Sequence, residues 1–179
     1  MTRSLRIGSG ALAVAMLAVP AFGLTSSDNG GSQRSLAQRV EAELSSLAYY
    51  SVFDHLSFRV DGGRVTLSGE VTQPVVKMDA ERAVNRIPGV RSVDNQIELL
   101  PLSRTDDQIR RAVYYAVYAF GPLQRYDAGS QPAIRIIVKN GRVTLIGMVA
   151  NDMDRRLVYQ RAIAVPGVFS VANQLLIEA

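Results

Sequence analysis

The sequence predicts an α+β fold made of two tandem copies of one small domain. Two observations predict it. Short motifs recur along the chain at a constant offset of 78 residues, which is typical of an internal repeat. Within each copy, segments with apolar residues at helical spacing alternate with segments in which every second residue is apolar. The predicted order is helix, strand, strand, helix, strand, with both helices on one face of a three-stranded sheet.

The repeat is clearest around a short glycine-containing turn. Residues 63–67 read GRVTL and recur at 141–145, and the PGV at 88–90 recurs at 166–168. From residue 63 to residue 99 the copies align without a gap, and 14 of the 37 positions are identical. Unrelated segments would agree at only a few positions. We therefore predict two homologous domains, at residues 34–102 and 103–179.

Each predicted element follows from its own pattern. The first helix of each copy carries an apolar stripe: Leu36, Val40, Leu44 and Leu47 in copy one, and Ile109, Val113, Val117 and Phe120 in copy two. Alternating strands follow, and the turns at 61–63 and 140–141 supply Gly and Asn, which tolerate positive φ and predict hairpins. The second helices, at 74–87 and 153–165, are stopped by Pro-Gly before a last strand.

The first 23 residues are predicted to be a cleavable secretory signal. Arg3 and Arg6 precede an apolar run at residues 11–19, and Ala21-Phe22-Gly23 places small residues at a cleavage site. The alternative is an uncleaved anchor, but nine residues at about 1.5 Å each cover less than half of a bilayer core of about 30 Å. Residues 24–33 are polar and predict a flexible linker. We expect a periplasmic protein, secreted if the source has no outer membrane.

The composition argues against several kinds of site. The chain has no cysteine, so disulfides, thiolate metal sites and cysteine nucleophiles are excluded. The net charge of +4 falls to +2 without Arg3 and Arg6, which gives little support to nucleic-acid binding. One histidine, His55, cannot build a usual zinc site, and its neighbours Asp54 and Ser51 or Ser57 are too close in sequence to converge as a triad. We predict no enzyme, cofactor or metal.

The repeated motif resembles the BON domain, named for bacterial osmotically induced periplasmic proteins and nodulation proteins. The resemblance lies in Gly-Arg-Val-Thr-Leu-x-Gly-x-Val, then a helix, then Pro-Gly-Val-x-Ser-Val-x-Asn-Gln, and it covers the chain twice. It implies an envelope location, no catalysis, and a role in attaching to phospholipid membranes or maintaining them under stress. The glycines that match the family, expected to shape the backbone, are Gly63, Gly69, Gly89, Gly141, Gly147 and Gly167.

The two copies differ on their predicted outward surfaces. On a helical wheel, the first helix of copy two turns Arg111, Tyr114, Tyr115 and Tyr118 away from the core, with Arg110 at the border of this face. The matching face of copy one carries Gln38, Glu41 and Ser45. Tyrosines beside arginines suit the headgroup boundary of an anionic membrane. Alternatively, these tyrosines pack on the other copy or on a second subunit.

The sheet of copy two shows the same asymmetry. Four apolar residues are predicted on its outer face, away from the helices: Ile137, Ile146, Met148 and Leu176. Copy one has Arg59, Ser68, Glu70 and Glu98 at comparable places. We expect copy one or a second chain to cover this apolar face. Two functions remain open: binding of phospholipid, mainly through copy two, or a structural module that oligomerises or docks on another envelope protein.

Overall fold

A computed structural model describes residues 29–127 and 133–178 of the chain. The predicted signal segment lies outside these residues. No helix among the described residues is both long enough and apolar enough to cross a bilayer. Two sheets with their helices form two domains, which confirms the predicted α+β fold of tandem αββαβ units.

The first domain consists of two helices and a small mixed sheet. Strand β1 pairs antiparallel with β2, and the third strand runs parallel to β2 in two short pieces, β3 and β4. A parallel neighbour requires a crossover, which helix α2 provides. The bounds of these elements are α1 Asn29–Ser45, β1 His55–Asp61, β2 Arg64–Val71, α2 Pro74–Asn85, β3 Ser92–Asn95 and β4 Glu98–Leu99.

The second domain repeats this topology with an unbroken third strand and an added 3-10 helix. Strand β5 pairs antiparallel with β6, and β7 runs parallel to β6 along its whole length. The 3-10 helix fills the connection between α3 and β5, and no sequence pattern predicted it. The bounds are α3 Arg104–Tyr118, the 3-10 helix Gly121–Asp127, β5 Ile134–Lys139, β6 Arg142–Val149, α4 Asp152–Ile163 and β7 Ser170–Ile177.

Each domain has its own core between its sheet and its helices. In the first domain the predicted stripe Leu36, Val40 and Leu44 is buried against Val65 and Leu67 of β2. In the second, Ile109, Val113 and Val117 are buried in the same way against Val143 and Leu145. The helix stripes predicted from spacing therefore face the sheets.

Helix α1 begins earlier than the composition predicts. It starts at Asn29, so residues 29–33 of the segment predicted as a flexible linker are helical. Adding a residue to an existing helix costs far less than starting one. The buried stripe further along α1 supplies the stable part, and the polar residues before it extend the helix.

Gly147 lies where β5 approaches β6 too closely for a side chain. Its φ is +137°, and a Cβ added there would stand 2.0 Å from the carbonyl oxygen of Ala133. The main chain of the neighbouring strand cannot move away without breaking the sheet. Glycine at this position is therefore a packing requirement.

We expect Gly147→Ala to lower the free energy of unfolding by about 2 kcal/mol or more, because both the positive φ and the clash must be relieved. Urea denaturation measures this loss. Gly121→Ala is the matched control, since Gly121 has no atom within 4 Å of an added Cβ and no positive φ. Equal unfolding midpoints for the two variants would contradict this account of the strand contact.

Candidate functional site

Tyr118 lies inside the second domain, and its prediction as an outward residue is wrong. Its side chain is 3% exposed. The hydroxyl donates a hydrogen bond to the Ile134 carbonyl at 2.6 Å and accepts one from the Ile134 N–H at 3.2 Å. Burial raises the pKa of Tyr118 well above its ordinary value. Strand β5 begins beside the last turn of α3 and covers a position that an isolated helical wheel turns toward solvent.

Arg110 is also buried, at 4% exposure, so it does not belong to an outward surface. Its guanidinium donates from Nη2 to the Val138 carbonyl at 2.7 Å and pairs with the carboxylate of Asp107. The contact ties the middle of α3 to β5. The carbonyl and the carboxylate offset the cost of burying this charge, whereas the buried Nε has no hydrogen-bond partner among the described residues.

Tyr114 is shared between the domains. Its ring lies edge-on to Phe53 of the first domain, with 6.2 Å between ring centroids. Its hydroxyl donates to Asp127 at 3.2 Å, and burial together with that carboxylate raises the pKa of Tyr114. Of the five residues predicted on the outward face of α3, only Arg111 and Tyr115 remain exposed.

We expect Tyr118→Phe to lower the free energy of unfolding by about 1–2 kcal/mol, because it removes the hydroxyl that satisfies the Ile134 backbone. Urea denaturation checks this. Tyr115→Phe is the control, since Tyr115 is 65% exposed. If both variants unfold at the wild-type midpoint, the hydroxyl of Tyr118 has no structural role.

The loop before β1 joins the first domain to the second. The Ile136 N–H donates to the Val52 carbonyl at 2.9 Å, and the Arg135 guanidinium donates to the Ser51 carbonyl at 2.8 Å. Arg135 also lies over the ring of Tyr50, 4.3 Å from its centroid. The loop therefore contacts the outer edge of β5 through one backbone hydrogen bond and the Arg135 side chain.

A buried carboxylate holds this loop in shape. Asp54 is fully buried and accepts hydrogen bonds from the N–H and hydroxyl of Ser51, at 2.9 and 2.7 Å, and from those of Thr72, at 2.6 and 2.8 Å. The carboxylate binds the Ser51 hydroxyl directly. In a catalytic triad the imidazole of His55 would lie between the hydroxyl of Ser51 and the carboxylate of Asp54. The direct contact between them favours a structural role for Asp54.

The outer face of β5 also meets the first domain. Ile137 is 3% exposed, and a cavity of about 250 Å³ lies between it and Glu70. The Lys139 ammonium pairs with the Glu98 carboxylate at 3.0 Å. One member of the predicted apolar face is thus covered within the chain, whereas the others lie on β6 and β7.

The outer face of strands β6 and β7 has no acidic residue within the strands themselves, and the exposed Glu178 directly follows β7. Met148 and Leu176 are register partners, 49% and 66% exposed, and Ile146 is half-buried. Phe169, 75% exposed, directly precedes β7 and carries the guanidinium of Arg142 over its ring, but by the alternation of β7 it lies on the opposite side from Leu176. We call this surface the β6–β7 outer face; its strand residues are Arg142, Thr144, Ile146, Met148, Ser170, Ala172, Gln174 and Leu176.

The described residues contain no group of three or more histidine, cysteine or acidic side chains placed to hold a metal ion. The exposed apolar side chains and Arg142 are the chemical feature that distinguishes the β6–β7 outer face. Such a surface can bind an amphiphile or another apolar surface.

Protonation of His55 is expected to weaken the fold at the domain contact. Burial lowers the pKa of His55 below its ordinary value, Glu70 opposes this, and Arg135 adds to it. The folded state disfavours the charged imidazole. The neutral imidazole therefore contributes fully to the free energy of unfolding above about pH 6.5, and this contribution is lost as the pH falls. Urea midpoints should therefore decrease between about pH 7.5 and about pH 5.5.

The control for this prediction is His55→Gln, which cannot titrate. Its urea midpoint should change less over the same pH interval. An identical pH dependence in the variant and the wild type would show that another group is responsible.

Comparison with known proteins identifies a family. A family model described as the BON domain matches residues 32–101 and 123–179, which together exceed half of the chain. The two matches confirm the resemblance of the repeated motif. No curated protein matches the sequence.

Among solved structures, the chain is similar to the C-terminal domain of CdsD, the structural protein of the type III secretion system of Chlamydia trachomatis. That alignment has 14% identity and a TM-score of 0.35, and it covers 82% of this chain and 99% of that one. A second CdsD structure aligns with 14% identity and a TM-score of 0.31, covering 80% of this chain and 93% of that one. Similarity at this level does not bear on function.

Proposed function

The chain belongs to the BON domain family, and from this premise we propose that it is a non-enzymatic envelope protein that associates with phospholipid. The proposed contact surface is the β6–β7 outer face of the second domain. The first domain acts as a scaffold docked on β5. The observation that carries the proposal is the exposure of Met148 and Leu176 on a face whose strands have no carboxylate.

The chemistry of this face suits the headgroup region of an anionic bilayer. Inserting a largely exposed Met or Leu side chain into an apolar environment contributes about 1 kcal/mol or more for each residue. Arg142 adds attraction of about 1 kcal/mol to anionic lipid. Together these terms support a peripheral and reversible association.

The first domain has no equivalent surface. The same face of its sheet carries Ser57 and Ser68, whose hydroxyl oxygens lie 2.9 Å apart, and the carboxylates of Glu70 and Glu98. Carboxylates would be repelled by anionic lipid, and hydroxyls gain little from leaving water. This asymmetry supports a division of roles between the two copies.

Co-sedimentation with vesicles tests the proposal. The full chain should sediment more with phosphatidylcholine vesicles containing phosphatidylglycerol than with phosphatidylcholine alone. The double variant Met148→Ser/Leu176→Ser should lose most of the binding, because the apolar contribution disappears. Its control is Tyr49→Ser/Met78→Ser, which removes two similarly exposed apolar side chains from the first domain.

The charge contribution has its own matched pair. Arg142→Gln should reduce the preference for anionic vesicles, whereas Arg64→Gln, at the repeat-related position of the first domain, should not.

Unchanged binding in Met148→Ser/Leu176→Ser would contradict the proposed surface, and loss of binding in Arg111→Gln/Tyr115→Ser would assign the contact to α3 instead. Absence of vesicle binding, with a mass that rises with protein concentration, would favour the structural alternative.

A further inference from the structure

In the second domain, a carboxylate of the chain itself occupies a small anion-binding turn. Asp106 is buried, and its two oxygens accept hydrogen bonds from the backbone N–H groups of Asn140 and Gly141, each at 2.8 Å. Both turn residues have left-handed φ values, +54° and +73°. This conformation directs two successive N–H groups to one side, where they bind an anion.

The first domain has the same turn without the carboxylate. Gly62 and Gly63 occupy the repeat-related positions with φ values of +53° and +89°. The residue equivalent to Asp106, three positions before the first core residue of the helix, is Gln33. Within the described part of the chain, no acceptor is paired with the N–H of Gly62 or Gly63.

A cavity of about 390 Å³ lies beside this turn. It is lined by both glycines, Gln33 and two arginines, Arg39 and Arg91. A Cβ added to Gly62 would have no atom within 4 Å, so the turn opens into free space. Both turn residues therefore border a space that can hold a small ligand.

The two arginines are specific to the first domain. At the repeat-related positions the second domain has Ala112 and Phe169. The Arg39 guanidinium donates to the Ser35 carbonyl at 3.3 Å, and neither arginine forms an ion pair within the described ranges. One copy thus combines the turn with an internal carboxylate, and the other combines it with two cations and a cavity.

We propose that this cavity of the first domain is a binding site for an oxyanion, a carboxylate or phosphate group. The N–H groups of Gly62 and Gly63 would receive two of its oxygens, as those of Asn140 and Gly141 receive the oxygens of Asp106. Arg39 and Arg91 supply the charge that neutralises the ligand. The site is separate from the β6–β7 outer face, so it does not depend on the proposed membrane association.

Amide NMR of the full chain tests the site directly. Inorganic phosphate, acetate and a soluble short-chain phosphatidylglycerol are titrated separately. The amide signals of Gly62 and Gly63 should shift in a saturable way, whereas those of Asn140 and Gly141 should not, because Asp106 already occupies their site. The probe that saturates at the lowest concentration distinguishes a lipid headgroup from a free anion.

Two variants make the test specific. Gln33→Asp places the carboxylate of the second domain in the first and should abolish the shifts, whereas Gln33→Asn, of the same size but neutral, should retain them. Arg39→Gln/Arg91→Gln should raise the apparent Kd by about tenfold or more, since a hydrogen bond to a charged group contributes more than a hydrogen bond between neutral groups. The proposal fails if the Gly62 and Gly63 signals do not move with any probe, or move equally in Gln33→Asp.

Discussion

The contact between the two domains depends on the hydrogen bonds of one buried carboxylate. Asp54 binds Ser51 on one side and Thr72, just after β2, on the other. A buried carboxylate without these donors would be strongly destabilising. The loop that contains Ser51 and Asp54 is therefore confined to one conformation. That conformation presents the Val52 carbonyl to β5. A residue that lies entirely within the first domain thus holds one of the contacts to the second.

The docked loop also decides which surfaces of the second domain remain available. It covers the edge of β5 and brings Phe53 against Tyr114. The polar face of the first sheet covers Ile137 and pairs with Lys139. What is left is the part of the β6–β7 outer face around Met148 and Leu176, since Arg142 and Thr144 of that face line the cavity beside Glu70. Its apolar residues therefore remain exposed after the chain has made its internal contacts.

The two copies show how one fold supports different chemistry. The repeated turn binds a carboxylate in the second domain, where Asp106 supplies it, and has two arginines beside it in the first. The same pattern holds for the sheets, whose inner faces are equally apolar while the outer faces differ. Packing restricts the residues that face the core, whereas outward residues can change without cost to the fold.

Spacing alone predicted the repeat, the order of elements and the buried stripes, because periodicity reports which side of each element faces its own core. It placed Tyr118 and Arg110 outside, since a helical wheel contains no strand β5, and the hydrogen bonds that bury them join residues 16 and 28 positions apart. The 3-10 helix likewise carried no periodic signal. Local pattern determined the domains, and only tertiary structure decided their surfaces, because burial of a side chain depends on neighbours distant in sequence.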